Sequence, residues 1–183
     1  MPLLASWRRA LGLGCLLLGL LVAASPALAQ TAQEQDLKAA YLYKFPAFVE
    51  WPSNARRDSP FVIALYGAEE VGAELQRLVQ GRSLEGRPIE VRLLRESDAP
   101  TGAQLVFVGR DSAKLPAITR TLAGTPTLIV SESPGALAQG SMINFVVVED
   151  RVRFEIAPES AARAGLRVSS RLLGVAQKVG MGR

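Results

Sequence analysis

The chain has 183 residues, 21 basic against 17 acidic side chains, a single cysteine and no histidine, and 49% of it is hydrophobic. That length suits one domain, and the missing histidine removes the residue around which most zinc, copper and Ser-His catalytic sites are built. Cys15 lies inside an apolar leader, so Cys-nucleophile chemistry is excluded from the remainder as well.

The first 29 residues read as a secretory signal peptide. Arg8 and Arg9 precede an apolar run from Ala10 to Ala24, and Ala27-Leu28-Ala29 supplies a small-residue cleavage site. The run is shorter than the roughly 20 apolar residues a bilayer span requires, and Ser25-Pro26 interrupts it. We therefore expect cleavage after Ala29, leaving residues 30–183 as one exported domain. Cys15 leaves with the signal, and Gly12 stands where a lipobox requires a large aliphatic residue, so no lipid anchor is expected. Without cysteine the mature chain folds without disulfides. Losing Arg8 and Arg9 leaves 19 basic against 17 acidic residues, dispersed along the chain. Nothing in that balance is a footprint for nucleic acid.

From Gln33 to Glu50 the apolar residues Leu37, Tyr41, Phe45 and Phe48 recur at helical spacing, and Leu42 and Val49 widen the stripe. This predicts an amphipathic helix. Pro46 cannot donate to the helical ladder, so the helix kinks or restarts there, and Trp51-Pro52 ends it. "FVIALYG" predicts a strand, and "AEEVGAELQRLVQG" a helix with Val71, Leu75, Leu78 and Val79 on one face and Gly81 as its C-terminal cap. Two more strands, "RPIEVRLL" and "AQLVFVG", precede the helix "DSAKLPAITRTLAG" and the strand "TPTLIVSE". The runs 105–108 and 128–130 lack polar alternation, the mark of strands covered on both faces.

After a loop from Ser131 to Ser141, "MINFVVVEDRVRFEI" predicts two strands joined as a hairpin at Glu149-Asp150. The second alternates, with Val152, Phe154 and Ile156 on one face and Arg151, Arg153 and Glu155 on the other. "APESAARAGL" predicts a short helix ending near Gly165, and "SSRLLGVAQKV" a last helix beginning at Ser169 or Ser170. Alternating strands and helices predict an α/β fold: a single three-layer domain whose mostly parallel sheet of about six strands has an antiparallel hairpin at its edge and helices on both faces.

The acidic pairs have structural explanations. Glu69-Glu70 opens a helix, where the backbone dipole favours negative charge, and Glu149-Asp150 forms a hairpin tip. No catalytic residue, cofactor site or metal site is assigned. The strand-to-helix junctions at Gly67 and Gly109 are where ligands of parallel sheets bind. Yet "GAEEVG" lacks the Lys-Ser/Thr of a phosphate loop and "GRDS" lacks the dinucleotide glycine pattern. These read as turns and caps. A small anion held by Arg110 and the amides near Asp111 or Ser112 is the functional alternative there.

The stretch "YLYKFPAFVEW" holds five of the eleven aromatic residues. Tyr41, Phe45 and Phe48 fall on the core stripe. Tyr43 and Trp51 lie off it, as half-buried packing or as anchors on a partner-facing surface, where Tyr and Trp are favoured. Arg163, Arg167 and Arg171 recur every four residues, with Gly165 breaking the ladder; they are solvated helix faces or a docking surface for an acidic partner.

With these segments in order, the chain resembles the YfiR family of periplasmic proteins. The segments that carry the resemblance are "LKAAYLYKFPAFVEWP", "VIALYG", "LVFVG" and "GSMINFVVVEDRVRFEIAPESAARAGLRVSSRLL", together spanning about Asp36 to Lys178. The resemblance implies an exported, periplasmic α/β domain that regulates and does not catalyse. It would bind the periplasmic sensor domain of a membrane-anchored diguanylate cyclase and hold it inactive, lowering cyclic-di-GMP and biofilm formation. It also implies a homodimer and sequestration by an outer-membrane lipoprotein.

Two departures limit what carries over. Ala103-Gln104 stands where members commonly have a cysteine, and Ala157 where they have an asparagine. On this reading the partner surface comes from the hairpin strand and the C-terminal helices: Phe154, Glu155, Arg163, Arg167, Ser169 and Arg171, with Tyr43 and Trp51 as a second patch. Ser169 as a helix cap and Arg171 as a carboxylate partner are the structural alternatives. The rival functions are a periplasmic small-molecule-binding module feeding a sensor kinase or transporter, using the strand-to-helix junctions, and an exported enzyme working through carboxylates alone.

Overall fold

The computed structural model describes residues 26–52, 60–110 and 113–180. The expected signal segment up to residue 25 lies outside them, as do Asp111 and Ser112. Helix α1 (Pro26–Lys44) places the expected cleavage point after Ala29 within its first turns. Among the described residues, no helix is long and apolar enough to cross a membrane.

A 3₁₀ turn (Phe45–Phe48) follows α1, then β1 (Val49–Glu50), β2 (Phe61–Tyr66), α2 (Glu69–Val79), β3 (Ser83–Leu84) and β4 (Arg87–Leu94). Next come β5 (Leu105–Val108), α3 (Leu115–Thr121), β6 (Leu128–Ser131) and a second 3₁₀ turn (Ala136–Gln139). The chain continues through β7 (Ile143–Val148), β8 (Arg151–Ile156), α4 (Pro158–Arg163), β9 (Arg167–Val168), α5 (Ser170–Val175) and β10 (Lys178–Val179).

The main sheet is mostly parallel and runs β10-β8-β7-β6-β5-β2-β4-β3. Among the described residues, only β7/β8 and β3/β4 pair antiparallel within it. The sequence leads to about six strands with the hairpin at the edge; the sheet has eight, and β10 lies outside the hairpin, parallel to β8. The two added strands are two residues long, too short to carry a hydrophobic period. β10 arises because the last helix stops at Val175, where Ala176 turns extended, and Gln177 N–H then donates to Phe154 O at 2.8 Å. The uninterrupted apolar runs of β2, β5 and β6 are buried at every position, and β8 alternates as its sequence does. Glu149 and Asp150 both take positive φ, 50° and 57°, giving the hairpin the primed turn that matches strand twist.

Helix α1 buries Ala39 and Leu42, and the 3₁₀ turn buries Phe45, but Leu37 of α1 is 39% exposed, so the helix's inner face is rotated from the expected stripe. The buried position beside Ala39 is Lys38, only 3% exposed. Its ammonium meets Glu34 at 2.6 Å, one turn back, and bonds Glu132 just beyond β6. A buried cation is tolerated only when paired, and these two carboxylates make Lys38 part of the core. Truncation of Lys38 to alanine leaves Glu132 without its cation, and we expect a loss of about 3 kcal/mol in denaturant unfolding.

Tyr66 is 1% exposed at the end of β2 and donates its hydroxyl to Asp98 O at 2.7 Å. Burial pushes its phenol above the usual tyrosine range, and the carboxylates of Asp98 and Glu96 add to the shift. The folded state therefore holds this proton more tightly than the unfolded chain, where tyrosine titrates near ~10. That stabilisation is complete below about pH 10 and disappears as the pH climbs through the higher folded value. Unfolding curves measured across that range should show a shallower alkaline decline for Tyr66→Phe than for the parent.

Candidate functional site

Pro46 sits in the first turn of the 3₁₀ segment, where its missing N–H leaves no bond unmade, and Val49 beyond it is extended. The chain thus leaves α1 as β1, and β1 pairs antiparallel with β9: Val49 opposite Val168, Glu50 opposite Arg167. The expected helix to Glu50 ends early for this reason, at Lys44. Ser169 N–H donates to Phe48 O at 2.9 Å, and Ser169 Oγ accepts from Leu172 N–H at 3.3 Å, capping α5. One short ribbon therefore joins "FPAFVEW" from the start of the domain to "LRVSSR" from its end.

A groove of about 410 Å³ opens beside the ribbon, lined among others by Phe48, Trp51, Phe61, Glu85, Arg87 and Ser169. Trp51 packs edge-on against Phe61, with ring centroids 5.5 Å apart, and its indole N–H donates to Pro126 O at 3.1 Å. The Arg87 guanidinium lies 5.5 Å over the other contact of that wall, the Phe61 ring, and donates to Pro60 O at 2.9 Å. Glu85 reaches the groove from a two-residue turn between β3 and β4 and holds φ at 51°, a left-handed conformation that costs an ordinary residue about 1 kcal/mol.

The same sequence segments that meet here carry the family pattern: residues 35–177 match the family described as YfiR/HmsC-like, more than three quarters of the chain. The chain belongs to the YfiR/HmsC-like family.

In this YfiR/HmsC-like chain the expected contact residues divide into two groups. Trp51 and Ser169 share the groove, and Arg167 adjoins it on β9, paired with Glu50 at 3.5 Å. Both members of that pair are largely exposed, 85% and 74% at the side chain, so the pair adds only ~0–1 kcal/mol to the fold. Arg171 is exposed on the first turn of α5.

The remaining residues lie apart from the groove. Tyr43 is half-buried with the Arg82 guanidinium 5.4 Å over its ring. Glu155 accepts from Asn144 Nδ2 at 3.0 Å, and Arg163 donates to Ser160 Oγ at 3.0 Å. Phe154 is 3% exposed and packs edge-on against Phe45 at 5.2 Å. Its alternation partner on the outer face, Arg153, is what β8 presents to solvent. Glu50, Glu85 and Arg87 were not singled out from the sequence; Glu85-Gly86, both at positive φ, form the tight turn that brings Glu85 and Arg87 to the groove.

At the strand-to-helix junctions the backbones of Gly67 and Gly109 approach closely. Gly109 N–H donates to Tyr66 O at 2.8 Å, and a Cβ built on Gly109 would stand 2.0 Å from Gly67 O. The amide of Arg110 donates to Glu132 Oε1 at 3.1 Å. The amides near Asp111 and Ser112, expected with Arg110 as the alternative site for a small anion, lie outside the described residues. Because the obstacle at Gly109 is main chain, Gly109→Ala must force the ends of β2 and β5 apart; we expect a loss of about 2–3 kcal/mol, read from thermal or denaturant unfolding.

Proposed function

We propose that this protein is a periplasmic regulator that binds the periplasmic sensor domain of a membrane-anchored diguanylate cyclase and represses it, lowering cyclic-di-GMP and biofilm formation. Membership of the YfiR/HmsC-like family supports this reading. The observation that carries it is the ribbon itself, where the first and last family segments meet and present Arg167 and Arg171 to solvent. Arg167 contributes little to stability, so its charge is available to a partner.

On this account Arg167 and Arg171 engage acidic groups of the sensor domain, and Trp51, Ser169 and the rim of the groove provide the apolar and hydrogen-bonding surroundings. Arg163, Glu155 and Tyr43 belong to the outer parts of the contact. Phe154 acts from beneath by holding the hairpin against α1. The protein reaches the periplasm through cleavage after Ala29, works as a homodimer, and is withdrawn from the cyclase by an outer-membrane lipoprotein. Catalysis has no part in this mechanism.

The alternative reading is a periplasmic small-molecule-binding module that uses the junctions at Gly67 and Gly109, whose backbones approach closely. Deletion of the gene should raise cellular cyclic-di-GMP, and the wild-type copy should restore the low level. A copy carrying Arg167→Glu and Arg171→Glu should be exported and folded, with a melting temperature within a few degrees of the parent, yet fail to restore it. An unchanged cyclic-di-GMP level after deletion would remove the assignment.

A further inference from the structure

Away from the ribbon, a second cavity of about 440 Å³ opens between α3, the 3₁₀ turn Ala136–Gln139 and α4. Its size falls in the range of small-ligand sites, about 300–1,000 Å³. The floor is apolar, made by Leu122, Ile129 and Met142, each at most 9% exposed. Two guanidinium groups, Arg120 from the last turn of α3 and Arg163 from the last turn of α4, stand among the lining residues, and among the described lining residues there is neither Asp nor Glu.

We propose that this cleft binds a small amphipathic anion: an apolar body against Leu122, Ile129 and Met142, and one carboxylate or phosphate head between Arg120 and Arg163. Arginine forks match such heads with paired hydrogen bonds, and an apolar floor beneath them favours a ligand with a hydrocarbon or ring body over a bare ion. The helix dipole accounts for a basic residue at each helix C-terminus. It does not account for a cavity between the two helices with a buried apolar floor.

Arg163 is held at the cleft wall, because its Nη2 donates to Ser160 Oγ at 3.0 Å and Ser160, 5% exposed, lines the same cavity. Gly140 sets the separation of the walls. It takes φ +98°, and a Cβ there would lie 3.2 Å from Thr119 of α3. Ala138, on the turn between the two helices, is exposed and lines the cavity, so a larger side chain there takes up cleft volume while both arginines are kept.

The test is calorimetric titration of the purified exported protein with octanoate, octyl phosphate, octanol and inorganic phosphate. At least one of octanoate and octyl phosphate should bind with a Kd below about 1 mM, roughly tenfold or more tighter than both octanol and inorganic phosphate. Which of the two binds tighter decides between the carboxylate and the phosphate head. The double variant Arg120→Gln, Arg163→Gln should weaken binding about tenfold, and Ala138→Phe should abolish it while leaving the charges in place. Three results would each overturn the proposal: no binding by either amphiphile, equal binding of octanol, or binding untouched by Ala138→Phe. The titration needs no partner protein, so its outcome stands apart from that of the gene deletion.

Discussion

Five rings hold the two ends of this domain together. Tyr41 of α1 and Phe45 of the following 3₁₀ turn stack at 5.6 Å, and both reach Phe145 and Phe154 on the hairpin at 5.2–6.0 Å, while Phe107 of β5 closes the cluster edge-on against Phe145 at 5.9 Å. Burying each ring contributes on the order of 2–3 kcal/mol, and favourable ring geometry adds about 0.5–1.5 kcal/mol per pair. The path of the following chain depends on this seat. With Phe45 fixed, Pro46 can only turn the backbone off the end of α1, and the two residues after Phe48 run out as β1 to meet β9. The ribbon, and the exposure of Arg167 beside it, follow from where Phe45 is anchored.

Two sets of polar side chains inside the domain are bound among themselves. Lys38, Glu34, Glu132 and the Arg110 amide form one set at the C-terminal ends of β5 and β6. Ser131, Ser141 and Asn144 form another, with Ser131 Oγ 2.8 Å from both Ser141 Oγ and Asn144 Oδ1, and Glu155 accepting from the same amide side chain. In open parallel sheets these strand ends are the usual place for a ligand. Here they are occupied by the protein's own side chains and by the backbone contact of Gly109 with Gly67. The proposed recognition surfaces, the ribbon with its groove and the cleft between α3 and α4, lie away from these strand ends.

Much of the fold was legible because its longer elements carry strong local signals. The continuous apolar runs of β2, β5 and β6, the alternation of β8, and the Ser169 cap of α5 all appear where their residues place them. The two-residue strands were invisible for a physical reason: pairing decides them, and pairing partners are distant in sequence. Val49-Glu50 reads as the end of a helix until β9 is beside it. Lys38 was missed because hydropathy places lysine outside, whereas its carboxylate partner Glu132 lies 94 residues further along the chain. The same limit explains the candidate surface. Arg167 and Ser169 were reachable from a basic ladder and a cap, but Glu50, Glu85 and Arg87 join them only through the fold. Phe154 belongs to the core for the reason its alternation gave, with Arg153 on the outward face.

The central claim is that the ribbon recognises the sensor domain of a diguanylate cyclase. The most direct measurement is the affinity between the purified exported protein and the purified periplasmic domain of the membrane diguanylate cyclase from the same organism. The account predicts a Kd of about 1 μM or tighter, weakened at least tenfold or so by reversing the charge of Arg167 and Arg171 and unchanged by substituting Glu149 at the hairpin tip. Absence of binding, or equal binding by the charge-reversed protein, would contradict it.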